Sequence, residues 1–87
     1  VLGRESKLIS FARMNEVVIF VSGKNSSNGS HLYEVCRKEN PDTYFVSNID
    51  ELKPEWFSDS DRIGVSGATS TPDWLLEDVA AKIKTMR

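Results

Sequence analysis

The chain reads as an α/β protein: a three-layer α-β-α sandwich on a short, mostly parallel sheet, in a single domain. Three observations point there. Segments with helical spacing of apolar residues alternate with short β-branched runs in the order α-β-α-β-(turn)-β-α. The best strand candidate, Val17-Val18-Ile19-Phe20-Val21, is apolar without alternation, as suits a strand covered on both faces. The connections between strand candidates are long enough for the crossovers that parallel neighbours require.

Each element has its own local reason. Leu8, Phe11 and Ala12, flanked by Ile9, recur at i, i+3, i+4 opposite Arg4, Glu5, Lys7 and Arg13, which predicts an amphipathic helix over residues 4–14. The strand at 17–21 follows. It stops at Ser22-Gly23-Lys24-Asn25-Ser26-Ser27-Asn28-Gly29-Ser30, nine residues of turn formers and helix caps, after which Leu32, Val35 and Cys36 resume helical spacing. Asn40-Pro41-Asp42 ends that helix, because a residue before proline avoids the α region, and Thr43-Tyr44-Phe45-Val46 has strand composition. Residues 48–53 read as a polar connection and Pro54-Glu55-Trp56-Phe57 as one helical turn, broken by Ser58-Asp59-Ser60-Asp61. Arg62-Ile63-Gly64-Val65 is a third short strand. Thr71 as cap and Pro72 at the first position open a last helix, whose apolar stripe is Leu75 or Leu76, Val79, Ala80, Ile83 and Met86.

With 87 residues there is room for one hydrophobic core and no cleft between domains. Eleven Lys and Arg against thirteen Asp and Glu leave a net charge of −2, basic in balance up to Lys38 and acidic beyond it; nothing here suits a nucleic-acid backbone. The longest apolar run is far below the roughly 20 residues that span a bilayer, so no membrane partner is expected. The single Cys36 excludes an internal disulfide and an all-cysteine metal site, and favours a reducing, cytoplasmic location. Residue 1 is Val and the chain passes directly into a helix-like pattern, so a fragment of a longer protein is expected.

Ligands of open parallel sheets bind beyond the carboxyl ends of strands, where helix N-termini present unpaired amides and partial positive charge. Two hydroxyl-rich loops fall there. Ser26, Ser27 and Asn28 add side-chain donors after the first strand and Ser70 after the third, with Gly23, Gly29 and Gly67 permitting close approach. That chemistry suits an anion such as phosphate or diphosphate, although the same residue types also cap helices and make turns. Lys24 can add charge or be a solvated loop lysine. Neither a P-loop nor G-x-G-x-x-G is present.

The other chemical candidates have plainer readings. His31 lacks companions at ligand spacing, and Ser66 lies in Gly64-Val65-Ser66-Gly67-Ala68, which misplaces the second glycine of a nucleophile elbow. Cys36 is in phase with Leu32 and Val35 and reads as core. Asp59-x-Asp61 begins like a calcium loop but has Ile63 at the fifth place and Ser70 at the twelfth. The two glycosylation sequons at Asn25 and Asn28 have no secretory signal beside them. Trp56 and Trp74 suit anchors for the sheet or for a neighbouring domain.

Two strings add more than composition does. Val18-Ile19-Phe20-Val21-Ser22-Gly23-Lys24-Asn25-Ser26-Ser27-Asn28 and Gly64-Val65-Ser66-Gly67-Ala68-Thr69-Ser70-Thr71-Pro72-Asp73-Trp74-Leu75 resemble the C-terminal part of the LytB-type 4-hydroxy-3-methylbut-2-enyl diphosphate reductases. Arg4, Leu8, Phe11 and Ala12 resemble the preceding helix of that family, so the likeness covers essentially all of 1–87. The resemblance implies a C-terminal α/β lobe of a three-lobed enzyme that removes an allylic hydroxyl reductively at an iron-sulfur (4Fe-4S) cluster. Its products are isopentenyl and dimethylallyl diphosphate, in the last step of the non-mevalonate isoprenoid pathway.

By the same resemblance, Ser26 and Asn28 match the family's S-x-N diphosphate contacts, Ser70 matches the serine before the P-x-W-L helix, and Ser27 is a weaker candidate between the first two. The implied partners are the allylic diphosphate, the other lobes and an electron donor. The family's three cluster cysteines, substrate histidines and proton-delivering glutamate have no match here, so the cluster belongs to the full-length enzyme and this chain alone is expected to be inactive. The alternative is a free-standing α/β phosphate-binding or interaction module, whose upstream coding region would carry no cysteines.

Overall fold

The computed structural model describes residues 2–57, 62–68 and 71–86, with the backbone alone for residues 2–5. Helix α1 (Leu2–Met14) leads into β1 (Val17–Val21), α2 (Ser27–Glu39) and β2 (Thr43–Val46). Two single 3-10 turns, Ile49–Glu51 and Pro54–Trp56, precede β3 (Ile63–Gly67) and α3 (Asp73–Met86). The three strands are all parallel, in the order β2-β1-β3. Val18–Val21 pair with Thr43–Val46 on one side, and Val17–Val21 pair with Ile63–Gly67 on the other.

The central position of β1 explains its unbroken apolar run. Val17, Ile19 and Val21 face one core with Val46, Leu52, Phe57, Val79 and Ile83, which α3 and the 3-10 turns cover. Val18 and Phe20 face a second core with Leu8, Ala12, Leu32 and Cys36 from α1 and α2. Every residue of β1 is buried, so alternation has no polar face to report. The expected three-layer α/β sandwich is therefore what forms. Among the described residues no helix is long and apolar enough to cross a membrane.

Most element assignments match, and the differences are informative. Helix α1 starts at Leu2, two residues earlier than the apolar spacing predicts. Helix α2 starts at Ser27, so the loop after β1 is Ser22–Ser26 rather than nine residues. The Ser26 hydroxyl accepts the Gly29 amide at 3.0 Å and caps the helix, which lets Ser27–Ser30 form its first turn despite their turn-like composition. Strand β3 runs on through Ser66 and Gly67, because they pair with Phe20 and Val21. Helix α3 starts at Asp73, so Pro72 rather than Thr71 immediately precedes it, and the Leu75 and Leu76 amides donate to the Pro72 carbonyl. The Thr71 hydroxyl donates to the Val21 carbonyl at 2.9 Å. The break at 58–61, with the calcium-like Asp59-x-Asp61, lies outside the described residues.

Trp56 stacks on Tyr44 with ring centroids 4.2 Å apart and meets Phe57 edge-on, so it anchors the sheet. Trp74 is 62% exposed, so it does not serve as a core anchor among the described residues. Cys36 is fully buried, as its phase predicts; burial pushes its thiol pKa up, and a hydrogen bond with Thr43 opposes that shift.

Candidate functional site at the strand ends

The strand order creates the site. Leaving β1 the chain turns to one face as α2, and leaving β3 it turns to the other as α3, so the connections diverge between the carboxyl ends of two neighbouring strands. Such a reversal is where open α/β sheets hold ligands. Ser22–Ser26 and the flanks Ala68 and Thr71 of the second loop stand at it.

On the β1 side, Gly23–Ser26 form a turn closed by the Ser26 amide on the Gly23 carbonyl at 3.2 Å. Ser26, half-buried, occupies the cap position of α2, with Ser27 and Asn28 exposed in the first helical turn. The cap takes the Gly29 amide, while a helix leaves its first two amides, here of Ser27 and Asn28, without a partner of its own. The Ser26 hydroxyl has accepted a bond and keeps a proton to donate. No acidic residue stands in the first turn of α2, and Arg37 and Lys38 stand in its last, so the positive end of the helix dipole is left uncompensated. Helix α3 differs, with Asp73 in its first turn.

Gly29 is dictated by close packing. A Cβ there would lie 2.0 Å from the Ser22 hydroxyl and 2.8 Å from Ser22 Cβ, and Ser22 is buried at the end of β1. The glycine lets the start of α2 settle directly onto the strand end. Gly23, in contrast, has open space where a Cβ would be, so no packing contact requires glycine there.

Ser70 lies outside the described residues, but both flanks of its loop are anchored to β1. The Ala68 amide and the Thr71 hydroxyl both donate to the Val21 carbonyl, at 3.3 and 2.9 Å, one residue before the Ser22–Ser26 loop begins. A Cβ on Gly67 would stand 2.7 Å from that carbonyl, so glycine is what permits the approach.

Lys24 is an exposed loop lysine that also has a partner. Its ammonium pairs with Glu51 at 2.7 Å, and Glu51 also accepts from the backbone and hydroxyl of Ser47, the hydroxyl at 2.8 Å. Lys24 and then the Ser47 bonds hold the Glu51 carboxyl down at about 2 against an ordinary 4.5. A depressed carboxylate stabilises the fold above its unfolded value and loses that contribution as pH falls from about 4.5 towards about 2. Urea midpoints should fall between pH 6 and pH 3, and Glu51→Gln should remove part of that fall; identical pH slopes would exclude the contribution. The effect is small, because both side chains are partly in water.

Sequence reasoning overlooked Glu51 and Ser47, neither of which carries a motif, and gave Ser22 no packing role. Of its weaker candidates, His31 is exposed on α2, and Ser66 lies inside β3 opposite Phe20 rather than on a sharp turn. Among the described residues, no group of three or more His, Cys, Asp or Glu could hold a metal ion.

Comparison with known proteins extends the geometry. The family model described as LytB protein matches residues 2–84. Proteins named 4-hydroxy-3-methylbut-2-enyl diphosphate reductase are similar throughout: that of Chlorobium phaeovibrioides is 50% identical over 86 residues, covering 93% of this chain and 28% of the relative. That of Chlorobaculum tepidum is 46% identical over 85 residues, covering 92% and 26%. A solved structure, described as (E)-4-hydroxy-3-methyl-but-2-enyl diphosphate reductase, the terminal enzyme of the non-mevalonate pathway, superposes with a TM-score of 0.90 at 39% identity. It is matched over 94% of this chain and 29% of its own. The chain thus spans less than a third of the length of these relatives.

Proposed function

This chain belongs to the LytB protein family, and on that premise we propose that residues 1–87 are the C-terminal lobe of a 4-hydroxy-3-methylbut-2-enyl diphosphate reductase and that the lobe holds the diphosphate of the substrate. The observation that carries the reading is the Ser26-Ser27-Asn28 start of α2, without an acidic residue, at the carboxyl end of the central strand where the α2 and α3 connections diverge. In this reading the Ser26 hydroxyl, the amides of Ser27 and Asn28, the Asn28 side chain and Ser70 donate to phosphate oxygens. Backbone amides at a helix start carry no mobile charge to reorganise, so the anion is met by dipoles already aligned.

The iron-sulfur cluster of the full-length enzyme supplies electrons to the allylic C–O bond when bound. This chain does not fit it as a ligand, since its lone thiol, Cys36, is sealed in the core with its pKa raised. What the lobe contributes is remote binding energy: fixing the charged tail raises affinity and holds the reacting carbon in place. Alone, the 87 residues are then catalytically silent. The allylic diphosphate, the remaining lobes and an electron donor are the partners this reading requires, and a reducing cytoplasm suits the unpaired thiol.

The reading is tested in the full-length reductase. Ser26→Ala and Asn28→Ala should each raise KM for the allylic diphosphate by roughly 10- to 150-fold, as expected for a charge-assisted hydrogen bond worth about 1.5–3 kcal/mol. Unchanged KM and kcat in both variants would remove the anchoring role.

A further inference from the structure

Glu51 lies in a segment that the sequence marks only as a polar connection, yet it ties the tip of the β1–α2 loop to the neighbouring strand. We propose that Glu51 is a positioning residue for the diphosphate loop, acting through Lys24 to hold the Gly23–Ser26 turn in the shape that presents Ser26, Ser27 and Asn28 to the anion. The inference rests on the diphosphate reading above and adds a residue to it.

The loop is pinned twice to the carboxyl end of β2. At its base, the Ser22 amide donates to the Val46 carbonyl at 3.1 Å. At its tip, Lys24 is the second residue of the Gly23–Ser26 turn and pairs with Glu51 at 2.7 Å. Glu51 is not a free surface carboxylate. Its other oxygen accepts both the amide and the hydroxyl of Ser47, the residue after β2 ends at Val46. An ordinary surface ion pair is weak because two mobile side chains must be ordered to form it. Here the acid is already held, and only the lysine has to be ordered. The fourth residue of the same turn is Ser26, the cap of α2, so a displacement of Lys24 reaches the anion donors within two residues.

An opposite arrangement of the same residues makes the opposite prediction. If Lys24 were itself a ligand that Glu51 holds back, removing the acid would free the ammonium and tighten binding. If Glu51 acts as a strut, removing it loosens the loop and weakens binding.

The experiment uses the full-length reductase carrying this lobe, with KM and kcat for the allylic diphosphate. Glu51→Gln and Lys24→Met should each raise KM three- to tenfold with kcat changed less than twofold. The double variant should be no worse than the weaker-binding single one, because both break one tether. Lys24→Arg, which keeps the pair, should stay near the parent value. Arg13→Gln, which breaks a separate exposed ion pair, to Glu39 across α1 and α2, should change neither constant. A lowered KM in Glu51→Gln, additive effects in the double variant, or a loss of thermal stability with KM unmoved would each overturn the strut. Ser26→Ala, run alongside, separates the two failures. If it raises KM while Glu51→Gln does not, the strut alone falls; if it leaves KM and kcat unchanged, anchoring and strut fall together.

Discussion

Asn40→Ala is expected to destabilise the chain by about 3 kcal/mol, the size of effect seen when buried polar groups lose their partner. For a domain of this size that corresponds to a fall in Tm of roughly 12–24 °C. Asn40 is a buried clamp at the end of α2. Its side-chain amide donates to the carbonyls of Ala12 at 3.1 Å, Asn15 at 2.9 Å and Glu16 at 3.4 Å, and its side-chain oxygen accepts the Asp42 amide at 3.0 Å. One side chain thus closes the α1–β1 turn and starts β2. Asn40→Asp should be worse than alanine despite its similar shape, since a carboxylate would face three carbonyl oxygens where a donor stood. Thermal unfolding of the two variants at pH 7 checks this. A loss below about 1 kcal/mol for alanine would mean that α1 and β1 hold the turn without the clamp.

Gly29→Ala should destabilise by about 1–3 kcal/mol, the usual cost of overpacking, although helix propensity alone favours alanine over glycine by about 1 kcal/mol. The sign is set by Ser22. Its Cβ and hydroxyl stand within 2.8 Å of the added methyl, so the first turn of α2 must move off the end of β1. In a Ser22→Gly background the two closest atoms are gone and the Ser26 hydroxyl, 3.2 Å away, has only to shift slightly, so Gly29→Ala should cost markedly less. Urea unfolding of the four chains measures the coupling, and additivity between the two sites would refute the steric account. The displacement also carries Ser27 and Asn28 with it, so the single variant in the full-length reductase should lose diphosphate affinity, and the double variant should recover it.

Gly29 also shows why the loop after β1 is longer by composition than in the fold. Ser, Asn and Gly favour both turns and helix starts, and no periodicity separates the two. The Ser26 cap on the Gly29 amide draws the boundary. Strand β1 was legible to the residue, because its five apolar residues and its flanking turn formers are adjacent in the chain. Cys36 was legible as core for the same reason, since Leu32 and Val35 fix its phase on one helix face. The candidate site was legible in part: Ser26, Ser27 and Asn28 could be placed at a strand end from their neighbours. That β3 lies beside β1, bringing Ala68 and Thr71 next to the start of the Ser22–Ser26 loop, depended on pairing that no local pattern encodes.

The sequence by itself determined the α/β class, the elements and their amphipathic faces, the membership in a family through two long strings, and the residues that stand at the head of α2. These are properties of neighbours a few positions apart, where the geometry of one helix or strand relates spacing directly to direction. Only the tertiary structure decided the strand order, the three carbonyls clamped by Asn40, the Thr71 hydroxyl on Val21 fifty residues away, and the partnership of Lys24 with Glu51. Such contacts join segments that meet only after loops have closed. Many residues of the right type compete for each partner, and burial of the shared core selects which of them meet.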